Sequence, residues 1–147
     1  MKPPSTYSEW ANALDAFGMG GHDEEVLCAM EGGCLEWGPV VSERFTARLR
    51  TAIDTRLEQL QKRQKALAVR ASSERDIVAY LLAYRREFGT LKRLVSVRAV
   101  PNDVQQAFRS MVAQCAQRAQ ESLELSAKED RSGRLPALIR KTRVDLF

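Results

Sequence analysis

Phe45, Leu49, Ile53, Leu57, Leu60 and Leu67 follow one another at steps of 4, 4, 4, 3 and 7 through a stretch that is otherwise densely polar. Steps of three and four return a side chain to one side of an α-helix every turn, whereas a half-buried strand would alternate. The apolar stripe is narrow, as in a coiled-coil seam or a slender bundle. With Ser42 as its N-cap, this helix is predicted to reach about Arg70. The pattern commits the chain to rods that must bury one edge against other rods.

The flanking segments obey the same rule. Thr6 and Glu9 form a capping-box signature ahead of Tyr7, Trp10, Leu14 and Phe17, and Gly18, Gly20 and Gly21 stop that first helix. A short second helix carries Asp23, Glu24 and Glu25 in its first turn, where carboxylates complement the helix dipole, and Gly32-Gly33 ends it. Trp37-Gly38-Pro39 reads as a turn into the long rod. Ala71-Ser72-Ser73 should break the rod, and Ser73 with Asp76 should cap the next one. Ile77, Leu81, Phe88, Leu91 and Val95 give that helix its stripe, and Gly89 is a point for a kink or an end.

Val95 to Val100 alternates and runs into Pro101, which predicts extended backbone. Asn102 or Asp103 is expected to cap a helix striped by Val104, Phe108, Met111, Val112, Cys115, Ala119 and Leu123, running to about Lys128. Pro136 suits the first turn of a last short helix. The predicted fold is therefore all-α: an antiparallel bundle of three long helices, with two short N-terminal helices and a short C-terminal one. Rods of roughly 22–28 residues would be about 33–42 Å long. Short connections favour antiparallel neighbours. A chain of 147 residues is long enough to bury a core as one domain without metal or disulfide staples.

Charge divides that domain into three parts. Residues 1–40 hold seven acids against Lys2 alone, so they form an acidic head. The other 22 bases and 12 acids lie beyond it. Residues 41–130 form a basic long-helix body and residues 131–147 a basic C-terminal segment. In that last segment Arg131, Arg134, Arg140, Lys141 and Arg143 occur without an acid among them. Two electrostatically different surfaces suit binding better than catalysis. Trp10, Phe17 and Trp37 are natural apolar anchors for docking the head on the body or on a neighbour.

Catalytic constellations fail on their residues. The one histidine, His22, stands in a His-x5-Cys-x5-Cys series with Cys28 and Cys34, which lacks the close pairing of structural zinc. A Cys34–His22 nucleophile would sit in an acidic head, where thiol ionisation is disfavoured. Gly18, Gly20 and Gly21 lack the Gly-Lys-Ser/Thr ending of a phosphate loop. The helix–loop–helix over residues 7–31 has Phe17 and Met19 where a calcium loop needs oxygens. No catalytic residue, cofactor or metal is expected.

The function expected is thus a non-enzymatic protein-interaction module: an adaptor, a small chaperone or a subunit of a larger assembly, with a protein partner or a second copy of itself. Trp10, Phe17, Trp37, Arg131, Arg134, Arg140, Lys141 and Arg143 are the candidate contacts. The alternative is a nucleic-acid-associated protein that holds phosphates through the basic body and C-terminal segment. No apolar run is long enough to insert in a membrane. The Met1-Lys2-Pro3-Pro4 start lacks a secretory signal's apolar stretch, and three cysteines suggest free thiols, which together point to the cytoplasm.

Overall fold

The computed structural model describes residues 1–70 and 73–147, the side chains of residues 64–70 excepted. The described residues form six α-helices and no strand: α1 (Tyr7–Met19), α2 (Asp23–Glu31), α3 (Pro39–Arg70), α4 (Glu74–Leu94), α5 (Asn102–Ser126) and α6 (Arg134–Lys141). A 3-10 turn, Ala127–Glu129, extends the end of α5. α3, α4 and α5 are the three long rods of an antiparallel bundle. The predicted break at Ala71-Ser72 and the side chain of Leu67 lie outside the described residues.

Local signals act as their chemistry requires. The Thr6 hydroxyl accepts the Glu9 N–H at 3.3 Å and donates to the Glu9 carboxylate, which is a closed capping arrangement. Gly20 ends α1 at φ +80°, a conformation that costs a side chain but not glycine. Ser73 caps α4 by accepting the Asp76 N–H at 3.2 Å.

Three boundaries differ from expectation. α3 starts at Pro39 rather than after Ser42, with the Ser42 N–H bonded to the Gly38 carbonyl at 2.9 Å. Proline at the first helical position has no N–H to leave unpaired, so it extends the helix by one turn. Gly89 neither ends nor interrupts α4, which continues to Leu94. Pro101, not Asn102 or Asp103, occupies the N-cap position of α5 and offers no side-chain bond.

The Val95–Val100 segment is a pair of turns, not extended backbone. Gln105, buried in the first turns of α5, donates its Nε2 to the carbonyls of Val97 and Val100, both at 2.8 Å. The Val100 N–H also bonds to the Val97 carbonyl at 3.0 Å. Val95, Val97 and Val100 are all buried, so the alternation that resembled a strand is a tight turn with its valines inward.

The core is a continuous apolar cluster that takes in every helix. α1 lies along α3, and the expected α3 stripe of Phe45, Leu49, Ile53 and Leu60 is buried in this cluster. That stripe is therefore not left for a partner. α2 reaches across to α4, and α4 packs in turn on α3, α5 and α6. Ile139, which is buried, and the partly buried Leu135 give α6 its inner side, which packs on α4 and α5.

Candidate interaction surface

The acidic head is docked on the basic body within the chain. Arg56 of α3 is only 5% exposed and holds three elements at once. Its guanidinium pairs with both oxygens of Asp23 at 2.6 and 3.0 Å and with Glu87 Oε1 of α4 at 2.6 Å. It also donates to the Phe17 carbonyl at 3.1 Å and lies 4.6 Å from the centre of the Phe17 ring. Burial opposes the charge on Arg56, but its bonds to Asp23 and Glu87 more than offset that and hold its pKa above the ordinary arginine value.

Two further arginines complete the joint. Arg48 grips both oxygens of Asp15 at 3.0 and 2.9 Å. Arg93 of α4 reaches Glu24 at 2.7 Å and Glu31 at 3.1 Å, and these bonds raise its pKa and lower that of Glu24. The Met1 amino group meets Glu25 at 3.2 Å. Five head carboxylates, those of Asp15, Asp23, Glu24, Glu25 and Glu31, are thus engaged internally. The charge that remains outward is mostly positive.

The apolar anchors go into the same joint. Trp10 and Phe17 are fully buried, and Trp37 is half-buried. Phe45 stands edge-on to both indoles, with ring centres 5.9 Å from Trp10 and 4.8 Å from Trp37. The Trp10 Nε1–H is satisfied by the Cys34 carbonyl at 3.0 Å. These three residues fasten head to body and present little surface to another molecule. His22 is exposed, with Nδ1 3.8 Å from Glu25, and Cys28 and Cys34 are exposed free thiols.

The basic C-terminal segment behaves differently. Arg131, Arg134, Arg140 and Lys141 are exposed, with no ion pair among the described residues. Arg143 is the exception: it is half-buried and bridges Asp145 at 2.9 Å and Glu124 at 3.8 Å. Below it, Gln120 of α5 is buried and fastens the segment, donating to the Ile139 carbonyl at 3.2 Å and accepting the Val144 N–H at 3.0 Å. The Arg143 carbonyl accepts from Arg85 Nε of α4 at 2.7 Å. The tail then crosses α4, where Phe147 stacks on Phe88 at 5.8 Å and Lys92 Nζ approaches the Phe147 ring.

Beside this tail lies an open groove of about 510 Å³ between α2 and α4. Leu27, Leu82 and Phe147 supply its apolar surface, and Arg85, Arg86 and Arg93 its cations. Asp23 and Glu24 on the α2 wall are the carboxylates already held by Arg56 and Arg93. Leu82 is 42% exposed and Leu146, next to Phe147 in sequence, is 61% exposed. Arg86 is exposed and makes no ion pair among the described residues.

Sequence reasoning did not single out Leu82 and Arg86 as a surface pair, although their spacing of four places them on one helix side. Nor did it find Arg56, Gln105 or Gln120. Their partners are distant in sequence or on backbone atoms, and no local pattern marks them.

Among the described residues, no helix is long and apolar enough to cross a membrane. Compared with protein-family models, with curated proteins and with solved structures, the chain matches none of them.

Proposed function

We propose that this chain is a non-enzymatic helical interaction module whose groove between α2, α4 and the C-terminal tail receives an acidic, amphipathic segment of a protein partner. The observation that carries this reading is that exposed Leu82 and Arg86, the latter without an ion pair among the described residues, stand together on the groove wall beside Phe147. An apolar floor with a cationic rim complements a segment that alternates bulky apolar residues with carboxylates. Lys92 and exposed Leu146 extend the same character past the tail. The groove's own carboxylates are neutralised within the chain, so they do not repel such a partner.

The test is quantitative capture from the native cells, comparing the tagged protein with its Leu82→Ser/Arg86→Ser variant, with and without nuclease. A stoichiometric protein that survives nuclease and is lost with the variant supports the module reading. Equal recovery by both proteins removes the groove from consideration. Both substitutions are at exposed positions, so unchanged helicity should confirm that the fold is kept.

A second reading has its own support. Arg131, Arg134, Arg140 and Lys141 are exposed cations without ion pairs among the described residues, as a phosphate-contacting surface requires. Against stacking on bases, none of the exposed large apolar side chains among the described residues is aromatic. Binding by this segment would be sequence-blind and steeply salt-dependent. Neutralising the four residues should then flatten the salt dependence by about one log-log unit per lost phosphate contact.

A further inference from the structure

A second cavity, separate from the groove, opens where the three long rods meet. Its volume is about 300 Å³, near the lower end of the range of about 300–1,000 Å³ usual for small-molecule sites. Tyr84 and Phe88 of α4 and Leu57 of α3 give it one apolar side, and Gln61 of α3 with Cys115, Ala119 and Ser122 of α5 complete the lining. Tyr84 and Phe88 are buried, and their ring centres are 5.4 Å apart. Arg118 of α5 also lines the cavity and is its one cation among the described residues. It is exposed and has no ion pair among the described residues.

We propose that this cavity binds a small apolar carboxylate, its hydrocarbon body against Leu57, Tyr84 and Phe88 and its carboxylate on the Arg118 guanidinium. A guanidinium fork matches a carboxylate's two oxygens, and one unpaired cation beside an apolar wall selects a singly charged ligand. Aromatic and aliphatic walls supply the affinity, and the arginine fixes the orientation. A more highly charged phosphate would want several converging donors, and among the described residues lining the cavity Arg118 is the one cation.

Cys115 makes the site readable. Its thiol is free and partly exposed within the cavity, and burial raises its pKa, with Arg118 pulling it down and Asp54 pushing it up. In a Cys28→Ser/Cys34→Ser background it is the one remaining cysteine. Its alkylation by iodoacetamide then reports whether the cavity is occupied. The probes are octanoate and, as the uncharged comparison, octanol.

Octanoate at about ten times its Kd should slow Cys115 alkylation about tenfold, because the empty fraction alone reacts. Octanol should protect at least several-fold less at equal concentration. Arg118→Gln should weaken octanoate about tenfold and erase its advantage over octanol, as expected for one charge-assisted hydrogen bond. Ala119→Leu, which fills the space, should abolish protection by either probe. Alkylation unaffected by millimolar octanoate, equal protection by both probes, or undiminished octanoate protection in Arg118→Gln would each overturn the proposal.

Discussion

Arg56 and Asp23 meet through two parallel N–H···O bonds, of 2.6 and 3.0 Å, between residues 33 positions apart. This fork–fork pair ties the start of α2 to the middle of α3, and the same guanidinium continues to Glu87 of α4. Replacing Arg56 by alanine leaves Glu87 without this partner in a largely dry joint, while the Phe17 carbonyl keeps only the Gly20 N–H among the described residues. The loss of unfolding free energy should be about 3–5 kcal/mol by urea titration. Asp23→Asn should cost only about 1 kcal/mol, since Asp23 is one-third exposed and water screens it. An Arg56→Ala loss below that of Asp23→Asn would contradict the three-way role.

Gly33 is required by space rather than by backbone angle. A Cβ there would stand 2.7 Å from the Pro4 carbonyl oxygen and 2.8 Å from Trp10 Cζ2. Gly33→Ala should therefore destabilise by about 1–3 kcal/mol and alter the near-ultraviolet circular dichroism of the indoles. Gly38→Ala is the control. It has open space around it and should stay within about 0.5 kcal/mol of the parent.

Gln120→Leu keeps the volume of a buried side chain and removes both of its tethers to the C-terminal segment. The Ile139 carbonyl and Val144 N–H lose these partners, at a cost of about 1–3 kcal/mol. Amide exchange should accelerate in residues 134–147 and stay unchanged in α1 and α2. Uniform acceleration across the chain would instead mean that α6 does not loosen on its own.

Alkaline pH should loosen the α4 region. Burial holds the phenols of Tyr80 and Tyr84 above the ordinary tyrosine value of 10.0. The unfolded chain gives up these protons first, so their contribution is complete below about pH 10 and fades as pH rises through the folded values. Tyr80→Phe removes one such ionisation. It also removes a buried hydroxyl with no hydrogen-bond partner among the described residues, for a gain of about 1 kcal/mol at neutral pH. Thermal midpoints between neutral pH and about pH 11 check both effects. A Tyr80→Phe curve parallel to the parent's would refute the assignment.

The helices were readable because each is specified by neighbours in sequence. Thr6 with Glu9, Ser73 with Asp76, and the glycine after Met19 all act within one turn, and the stripes repeat within one rod. The Val95–Val100 turn was misread because alternating valines look alike whether a strand or a turn buries them. What distinguishes the two is Gln105, a polar residue on the following helix. The candidate surface was legible only in part. Exposed Arg131, Arg134, Arg140 and Lys141 follow from composition, but the burial of Trp10 and Phe17 depends on which rod α1 lies against. The groove is a product of the assembled helices, formed by α2, α4 and the tail together.

The Trp10–Trp37–Phe45 cluster also divides the molecule optically. Both tryptophans of the chain lie in it, at the joint between the head and the first half of α3. Two of the three tyrosines, Tyr80 and Tyr84, lie on α4. Indole fluorescence therefore follows the N-terminal joint, while phenol absorbance follows mainly the α4 region. Without any added dye, the two signals compared along one denaturation curve reveal whether head and rods melt as one cooperative unit or in sequence.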